Sequence, residues 1–553
     1  MRIVAVVLAA ATGLPAADPV AEVEAYHRDF QNEGEGIVLV TVAEGKVIVS
    51  SAGSRKEGGP GMDGDTLFEI GSLTKVFTGI LLADAVNRGA ASLEDPVTRF
   101  LPEGLLSADS PLHQVTLVEL STHTSGLPRL PSNFDEGGNP KDPYAAYSVE
   151  RLYEYLKGFQ TADFVKRGKT SYSNLGVGLL GHALERLAGK PYEELVRDTI
   201  FAPLGMNSSF VQRRPGDLPA EAEERFATGH RRGKEVPRWY FDALCGAGAI
   251  VSTGHDLALF AAAHFTPQTP PSLFAAMKRA TERQRGEVGL GWFLGKEGLH
   301  HDGATGGFRS QLRVSVPDKT ATIRLMSGTG PSGIAESRGD FTAFAGFWQG
   351  TLGVAPKQRD LFFRISEGGR VVLHSLDEGG QGMPAVRTSC EGGHFRAVFG
   401  AIQGCLEGHR EGERFVGTWS QNGAYPLALA PVSGVPSALR EALAGRFTGD
   451  WRDLRGFWSG HLGGNEGLFL VLEIDGFDDL GDVRLYSPDQ TSDPLPVTHL
   501  SFGAGRLKLV SAPLRAEYSA TLGEDGHFTG LWKQGSSSKP LPLVRSEAMP
   551  ERE

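Results

Sequence analysis

The chain has 553 residues, 40% of them hydrophobic and 22% charged, with a net charge of -11 and a pI near 5.8. Such a length is too great for one hydrophobic core and predicts roughly two to four domains. The acidic balance, without any basic tract, excludes nucleic acid and anionic membrane as main partners, and three cysteines are too few for a disulfide scaffold.

Residues 1–17, MRIVAVVLAAATGLPAA, join Arg2 to an apolar run and to small residues suited to cleavage after Ala11 or Ala17. This predicts a signal peptide and an exported, periplasmic or secreted protein. No other stretch reaches the roughly 18 to 20 apolar residues of a membrane span. Residues 37–50 read as a hairpin turning at Glu44-Gly45. The stretch GSLTKVF, residues 71–77, then opens a segment through Val86 that is apolar nearly all round, the mark of a buried helix, stopping at Gly89. Ser72 and Lys75 stand three apart and share a helix face. Burial of Lys75 would lower its pKa and make it a base. The same spacing recurs at Ser536 and Lys539 in the polar turn GSSSKP, so spacing alone leaves Ser72 either a nucleophile or a helix cap.

Short helices and loops rich in Pro and Gly follow, and residues 128–143 read as an exposed loop. Residues 175–188 form a predicted helix capped by Ser173 or Asn174 and ended by Gly189. Cys245 reads as a packed small apolar residue. Three strand-like runs, 289–294, 310–316 and 320–326, close a domain spanning 22–352, with strands at both ends sharing one sheet. Beyond it Phe415, Gly417, Trp419 and Leu427 recur as Phe528, Gly530, Trp532 and Leu541, with the tryptophans 113 residues apart. Each copy is preceded by a similar strand, VVLHSLDE or DVRLYSPD. Two antiparallel barrels or sandwiches are expected, at 356–435 and 440–546, their interiors filled by Phe and Trp or enclosing a ligand cavity. Cys390 and Cys405 there are either a disulfide or two buried thiols.

Two more patterns lie in the first domain: KTSYSN at 169–174, just before a helix, and HHDGATGGF at 300–308, between strands. In this order S-x-x-K, Y-x-N and H-x-G resemble the serine β-lactamase and penicillin-binding-protein superfamily, specifically the class C β-lactamase-like serine hydrolases and esterases. FEIGSLTKVFTG, LEDPV, LSTHTSGLP, YSNLGVGLLG, FAPLGMNSS and GAGAIVSTGHDLALF strengthen the likeness, which covers about residues 22–350. It implies an α/β fold, an antiparallel sheet flanked by helices plus a helical subdomain, with the site between them. It also implies Ser72 as nucleophile, with Lys75 and Tyr172 as its joint base. Asn174 would bond Lys75 or a substrate amide. Backbone N–H groups of Ser72 and Ala304 would form the oxyanion hole, Gly303 allowing the close approach. No cofactor and no metal is implied. Tyr172 beside an ammonium is expected to be pushed toward phenolate.

The relatives carry lysine where this chain has His301. A histidine is mostly neutral at pH 7 and orients or polarises more than it binds charge. His300 and Asp302 flank His301 on a strand and point to the other face, against a metal site of the three. The departure from K-T-G to H-D-G weakens carboxylate recognition if Asp302 faces the cleft. An ester or amide hydrolase of neutral or amine-bearing substrates is then expected, ahead of a β-lactamase or D-Ala-D-Ala carboxypeptidase. Domain order and H-x-G also resemble D-aminopeptidases of the superfamily, the runner-up. A penicillin-recognising or cell-wall-binding protein with vestigial catalysis is the alternative of another class, against which intact Ser72, Lys75, Tyr172 and Asn174 argue. The expected partner is a small-molecule or peptide substrate, whose identity, like the oligomeric state, the sequence does not specify.

Overall fold

Alternating Val and Ile favour extended chain over residues 36–53, and Glu44-Gly45 turns it. Strands β1 (Gly36–Ala43) and β2 (Lys46–Gly53) pair with Ala43 opposite Lys46. Both turn residues have positive φ, 52° and 75°, as a two-residue hairpin loop of matching twist requires. This computed structural model describes residues 34–546 together with Val23, Glu24 and His27. It leaves breaks at 135–138, 140, 232, 267, 297, 329–335, 354–357, 379–381, 403, 422–423, 444–445, 465–467, 476–481, 488–494, 513 and 535–536. The chain divides into two units, one of Ile3–Thr329 and one built on Gly330–Glu553.

In the first unit, β3 (Phe293–Gly295), β4 (Gly298–Ala304), β5 (Arg309–Ser315) and β6 (Thr320–Met326) complete an antiparallel sheet of order β2-β1-β6-β5-β4-β3. Ile37 lies opposite Met326, so strands from the two ends of the unit are neighbours. Helix α1 (Thr74–Asn87) is buried from Thr74 to Ala83. Helix α2 (Asn174–Ala188) is capped by Ser173, whose Oγ accepts from the Gly176 N–H at 2.8 Å, and ends at Gly189 with φ 63°. Helices α3 (Gly254–Ala262) and α4 (Pro271–Thr281) pack on β1 with β6 and on α1 respectively. One core joins Val38, Val40, Phe77, Ile80, Leu179, Phe260 and Ile323.

Three sequence expectations change here. The run 289–294 is a strand only from Phe293, because Gly291 has φ 74° and lies against α1, where a β-carbon would stand 2.3 Å from the Lys75 carbonyl. The loop 128–143 is anchored and not simply exposed: Phe134 is buried, its ring 4.9 Å from Tyr144 and 5.4 Å from Tyr147. Residues 346–352, read as the end of the first domain, form a strand of the second unit. Gly346–Leu352 pairs with Arg359–Ile365 and Ala424–Val432, and Trp348 is buried in their core.

That second unit is all β and contains the repeat in fuller form than the Phe-Gly-Trp pattern alone. GFWQGTL at 346–352 recurs as GFWSGHL at 456–462, both strands. Trp348 Nε1 donates to the Phe344 carbonyl at 2.7 Å and Trp458 Nε1 to that of Leu454 at 2.8 Å. In each copy a short first strand pairs in parallel with the fifth strand after it, Glu336–Gly339 with Arg387–Glu391 and Phe447–Gly449 with His499–Gly503. The first copy is one curled ten-stranded sheet, and the second splits into sheets of six and five strands. Phe415 and Trp419 in one core, and Phe528 and Trp532 in the other, fill the interior together with Trp348, Phe363 and Phe395, or with Trp458 and Tyr518. Cys245, Cys390 and Cys405 are buried thiols and none of them is in a disulfide, so the disulfide reading falls. A chain ending at Gly328 is expected to remain soluble, whereas one ending at Leu352 should aggregate. The longer one would carry Phe341, Phe344 and Trp348 stripped of the strands that cover them. Equal soluble yield of the two in a centrifugation assay would contradict this assignment.

Candidate active site

From Thr66 to Ala83 every residue is buried except Ser72, which is half-buried. The chain enters α1 through a single tight turn, Gly71–Leu73, in which Gly71 has φ 50°. That turn exposes the hydroxyl while the helix behind it is sunk in the core. Lys75 Nζ lies 2.9 Å from Ser72 Oγ and donates to the Ala247 carbonyl at 2.7 Å. Burial, and secondarily the Arg129 charge, hold the Lys75 amine well below the usual lysine range. Burial thus favours the uncharged form of the amine beside the serine hydroxyl.

Tyr172 stands beside this pair, its ring centroid 5.0 Å from Lys75 Nζ. Burial pushes its phenol up to about 12, against the opposing pull of the Ser72 hydrogen bond and the Arg129 charge. The expected phenolate is thus corrected. An ammonium would have stabilised it, but the same burial that keeps the phenol protonated disfavours the charge on the lysine.

His123, which the sequence reading passed over, holds Tyr172 from both sides. Its carbonyl accepts from the Ser171 N–H at 2.8 Å and its Nδ1 from the Ser173 N–H at 3.1 Å. Its ring lies 4.4 Å from that of Tyr172. The grip depends on a left-handed backbone at His123, φ 59°, unusual for a residue with a side chain. The signal available in sequence was a lone histidine in a loop of Ser, Thr and Gly. Glu69 was missed as well. Burial lifts its carboxyl to about 7, and its Oε1 accepts from the Trp239 N–H at 2.7 Å.

His301 is buried on β4, and its Nδ1 donates to the Asp302 carbonyl at 2.8 Å. A carbonyl only accepts, so Nδ1 carries the proton and Nε2 is a bare acceptor. Nε2 is buried without a partner, and the ring lies 6.4 Å from that of Tyr172. Burial and then the Lys75 charge lower this imidazole to about 3, and burial likewise takes His123 to about 3. Asn174 is buried at the start of α2. Its Nδ2 donates to the Tyr144 hydroxyl at 2.7 Å, not to Lys75, and its Oδ1 is buried and unpaired. Asp302 is exposed and its carboxylate accepts from Arg313 Nη1 at 2.6 Å. An acidic group free to repel a substrate carboxylate was expected; Arg313, two residues along the neighbouring strand, neutralises it.

Gly303 and Ala304 complete the arrangement. A β-carbon at Gly71 would stand 2.8 Å from the Ala304 nitrogen, so the absent side chain is what lets β4 reach the turn carrying Ser72. The Ala304 backbone thus lies against the Gly71 turn that leads into Ser72.

The buried neutral histidines make stability depend on acid. An unfolded histidine binds a proton near 6.5, whereas His123 and His301 bind one only near about 3, and His264, buried beside the Phe260 carbonyl, near about 4. The unfolded state therefore gains protons first as the pH falls, and stability is lost from about 6.5 downward. Each group costs about 2 kcal/mol between pH 7 and pH 5. Urea unfolding of the first unit's signal should show this slope, opposed in part by Glu69, whose raised carboxyl binds its proton first in the native state, and His264→Leu should remove about 2 kcal/mol of it between pH 7 and pH 5. A pH-independent midpoint across this range would refute the argument.

Residues 23–347 match the family model described as Beta-lactamase. Among curated proteins, the chain is 28% identical over 264 residues to a beta-lactamase of Escherichia coli (strain K12), covering 46% of this chain and 65% of that one. It is 31% identical over 262 residues to the D-alanyl-D-alanine-carboxypeptidase/endopeptidase AmpH of the same organism, covering 45% and 64%. With penicillin-binding protein 4 of Amycolatopsis lactamdurans it shares 28% over 326 residues, 53% of this chain and 81% of that one. The match thus spans slightly less than two thirds of either Escherichia coli protein. Among solved structures, a beta-lactamase from Sulfitobacter sp. EE-36 superposes with a TM-score of 0.48 at 24% identity, covering 60% of this chain and 94% of that one. With the family model extending over more than half of its length, the chain belongs to the beta-lactamase family of the serine β-lactamase and penicillin-binding-protein superfamily.

Proposed function

We propose that the first unit is a serine hydrolase that cleaves ester or amide bonds through an acyl-enzyme on Ser72. One observation carries this reading: a buried Lys75 amine, held well below the usual lysine range, 2.9 Å from a half-buried Ser72 hydroxyl in an otherwise buried run. Lys75 accepts the Ser72 proton as Oγ bonds to the substrate carbonyl carbon. The Ser72 and Ala304 amides hold the resulting oxyanion. Tyr172, protonated at rest, gives its proton to the leaving atom and recovers one from Lys75, so the path ends neutral. Water then releases the acid by the reverse path. Neutral His301 lines this path without contributing charge.

The preference for neutral or amine-bearing substrates rested on a neutral His301 in place of lysine and on Asp302 if it faces the cleft; His301 is held neutral by burial, whereas the Arg313 ion pair offsets the Asp302 charge and weakens that part of the ground. The D-alanyl peptides named for AmpH and the ring amide of β-lactams therefore belong in the substrate panel beside simple esters and D-aminoacyl amides. The leader-like residues 1–17, which lie outside the described residues, support an exported site of action. The test is labelling with a fluorophosphonate followed by peptide mapping, with turnover of the panel measured in wild type and Ser72→Ala. An adduct on Ser72, and turnover lost with it, is expected. Turnover that survives Ser72→Ala, or an adduct at Ser536, itself outside the described residues, would refute the proposal.

A further inference from the structure

The charges around Ser72 nearly all cancel. Burial disfavours the Lys75 charge, His123 and His301 are held neutral, and Asp302 is paired with Arg313. Arg129 is the exception. It follows the turn Gly126-Leu127-Pro128, and its carbonyl accepts from the N–H groups of Asn174 at 3.0 Å and Leu175 at 3.1 Å. Its backbone is thereby pinned to the first turn of α2, which places Asn174 in the site. Its guanidinium carbon stands 5.3 Å from the Tyr172 ring centroid. Its charge is felt at Lys75, His123, Tyr144 and Tyr172 alike.

Arg129 is exposed, and among the described residues no carboxylate pairs with its guanidinium. Exposed arginines elsewhere in the unit are of both kinds: Arg88, Arg99 and Arg197 each hold an aspartate at 2.7 to 2.8 Å, whereas Arg214 and Arg283 have no carboxylate partner among the described residues. What sets Arg129 apart is its place over the Tyr172 ring, on a loop and not on the strand element that carries the cation in K-T-G.

We infer that Arg129 is the specificity-determining cation of this site and that preferred substrates carry a carboxylate on the leaving group. The inference rests on the serine-hydrolase reading above, which makes Tyr172 the donor to the leaving atom; a group held over the Tyr172 ring therefore lies on that side of the scissile bond. A guanidinium fork suits a carboxylate, offering two parallel N–H donors. The backbone pinning fixes where that fork is offered.

The experiment uses the full chain and three esters sharing one acyl group, with 3-hydroxybenzoate, 3-hydroxybenzamide or 3-(aminomethyl)phenol as leaving group. The quantity read is the ratio of kcat/KM within the set, because Arg129 also biases Lys75 and Tyr172 and so moves all three substrates together. Wild type should favour the carboxylate over the amide by about five-fold at low salt, the scale of one exposed ion pair, and by less as salt rises. Arg129→Gln should bring the ratio to near one, Arg129→Lys should keep part of it, and Arg129→Glu should invert it toward the amine. A ratio unmoved in Arg129→Gln and Arg129→Glu, or a wild type that prefers the amine, overturns the inference while leaving Ser72-dependent hydrolysis intact. Turnover that persists in Ser72→Ala brings down the hydrolase reading and the inference with it.

Discussion

Lys75→Met is expected to lower kcat by about 100- to 10,000-fold, the span for loss of a positioned base, while the protein stays folded. Tyr172→Phe should fall in the same range, and the double variant little further, because both groups serve one proton path. In the proposed mechanism the lysine is the base, since burial holds its amine well below the usual lysine range whereas the phenol stays protonated up to about 12. In wild type, kcat/KM should therefore rise with pH as Lys75 loses its proton in a range well below that of an ordinary lysine, and fall only toward pH 12. His123 and His301, near about 3, should add no limb between roughly pH 5 and 9.

A stability signature accompanies the loss of activity. In the unfolded chain Lys75 binds a proton up to pH about 10.4, but in the native state it gives that proton up well below this. Wild-type stability thus rises with pH through the neutral range, and a variant without the amine escapes that cost. Lys75→Met should gain most over wild type at low pH and lose the advantage near pH 10. The orphaned Ala247 carbonyl offsets part of the gain by about 1 to 3 kcal/mol. Urea midpoints at pH 6 and 10 measure this. Near-normal turnover in Lys75→Met, with Tyr172→Phe inactive, would transfer the role of base to the tyrosine.

What the sequence revealed was local. The hairpin at 36–53, the buried helix after Ser72 and the Ser173 cap of α2 each depend on neighbours within a few residues, and a period or a turn residue encodes them. Most of the errors concern distance. Asp302 was weighed without its partner because Arg313 reaches it only across a strand pair. Tyr172 was read as a phenolate because proximity to a lysine is visible in a motif, whereas desolvation of that lysine is a property of the whole core. His123 and Arg129 act on α2 from about 45 to 50 positions earlier in the chain, and no spacing rule connects them. The strand at 346–352 shows a different failure. Its apolar pattern is plain, but a pattern does not say which sheet it joins; its twin at 456–462 was the internal clue that it belongs to the repeat.

Gly303→Ala is expected to cost about 100- to 1,000-fold in kcat, the scale of losing one oxyanion donor. A β-carbon there would stand 2.0 Å from the Ile70 carbonyl oxygen and 2.3 Å from Ser310 Oγ. The Ile70 oxygen is backbone and cannot swing away. Ser310 Oγ also donates to it at 2.8 Å, fastening β5 to the same point. The strand must therefore retreat, and the residue that retreats with it is Ala304, whose nitrogen lies against Gly71. The Ser72 hydroxyl and the Lys75 amine sit on the turn and on α1, so their 2.9 Å approach should survive. The variant separates donor geometry from base chemistry. Its acylation by a fluorophosphonate should slow along with turnover, because the phosphonyl oxygen uses the same two amides, while the pH at which activity rises should remain that of wild type. Gly71→Ala should fail similarly, from the other side of the contact and with the added strain of φ 50°. If Gly303→Ala keeps kcat within about three-fold of wild type, the Ala304 amide is not a donor to the oxyanion, and the close approach of β4 to the Ser72 turn serves packing alone.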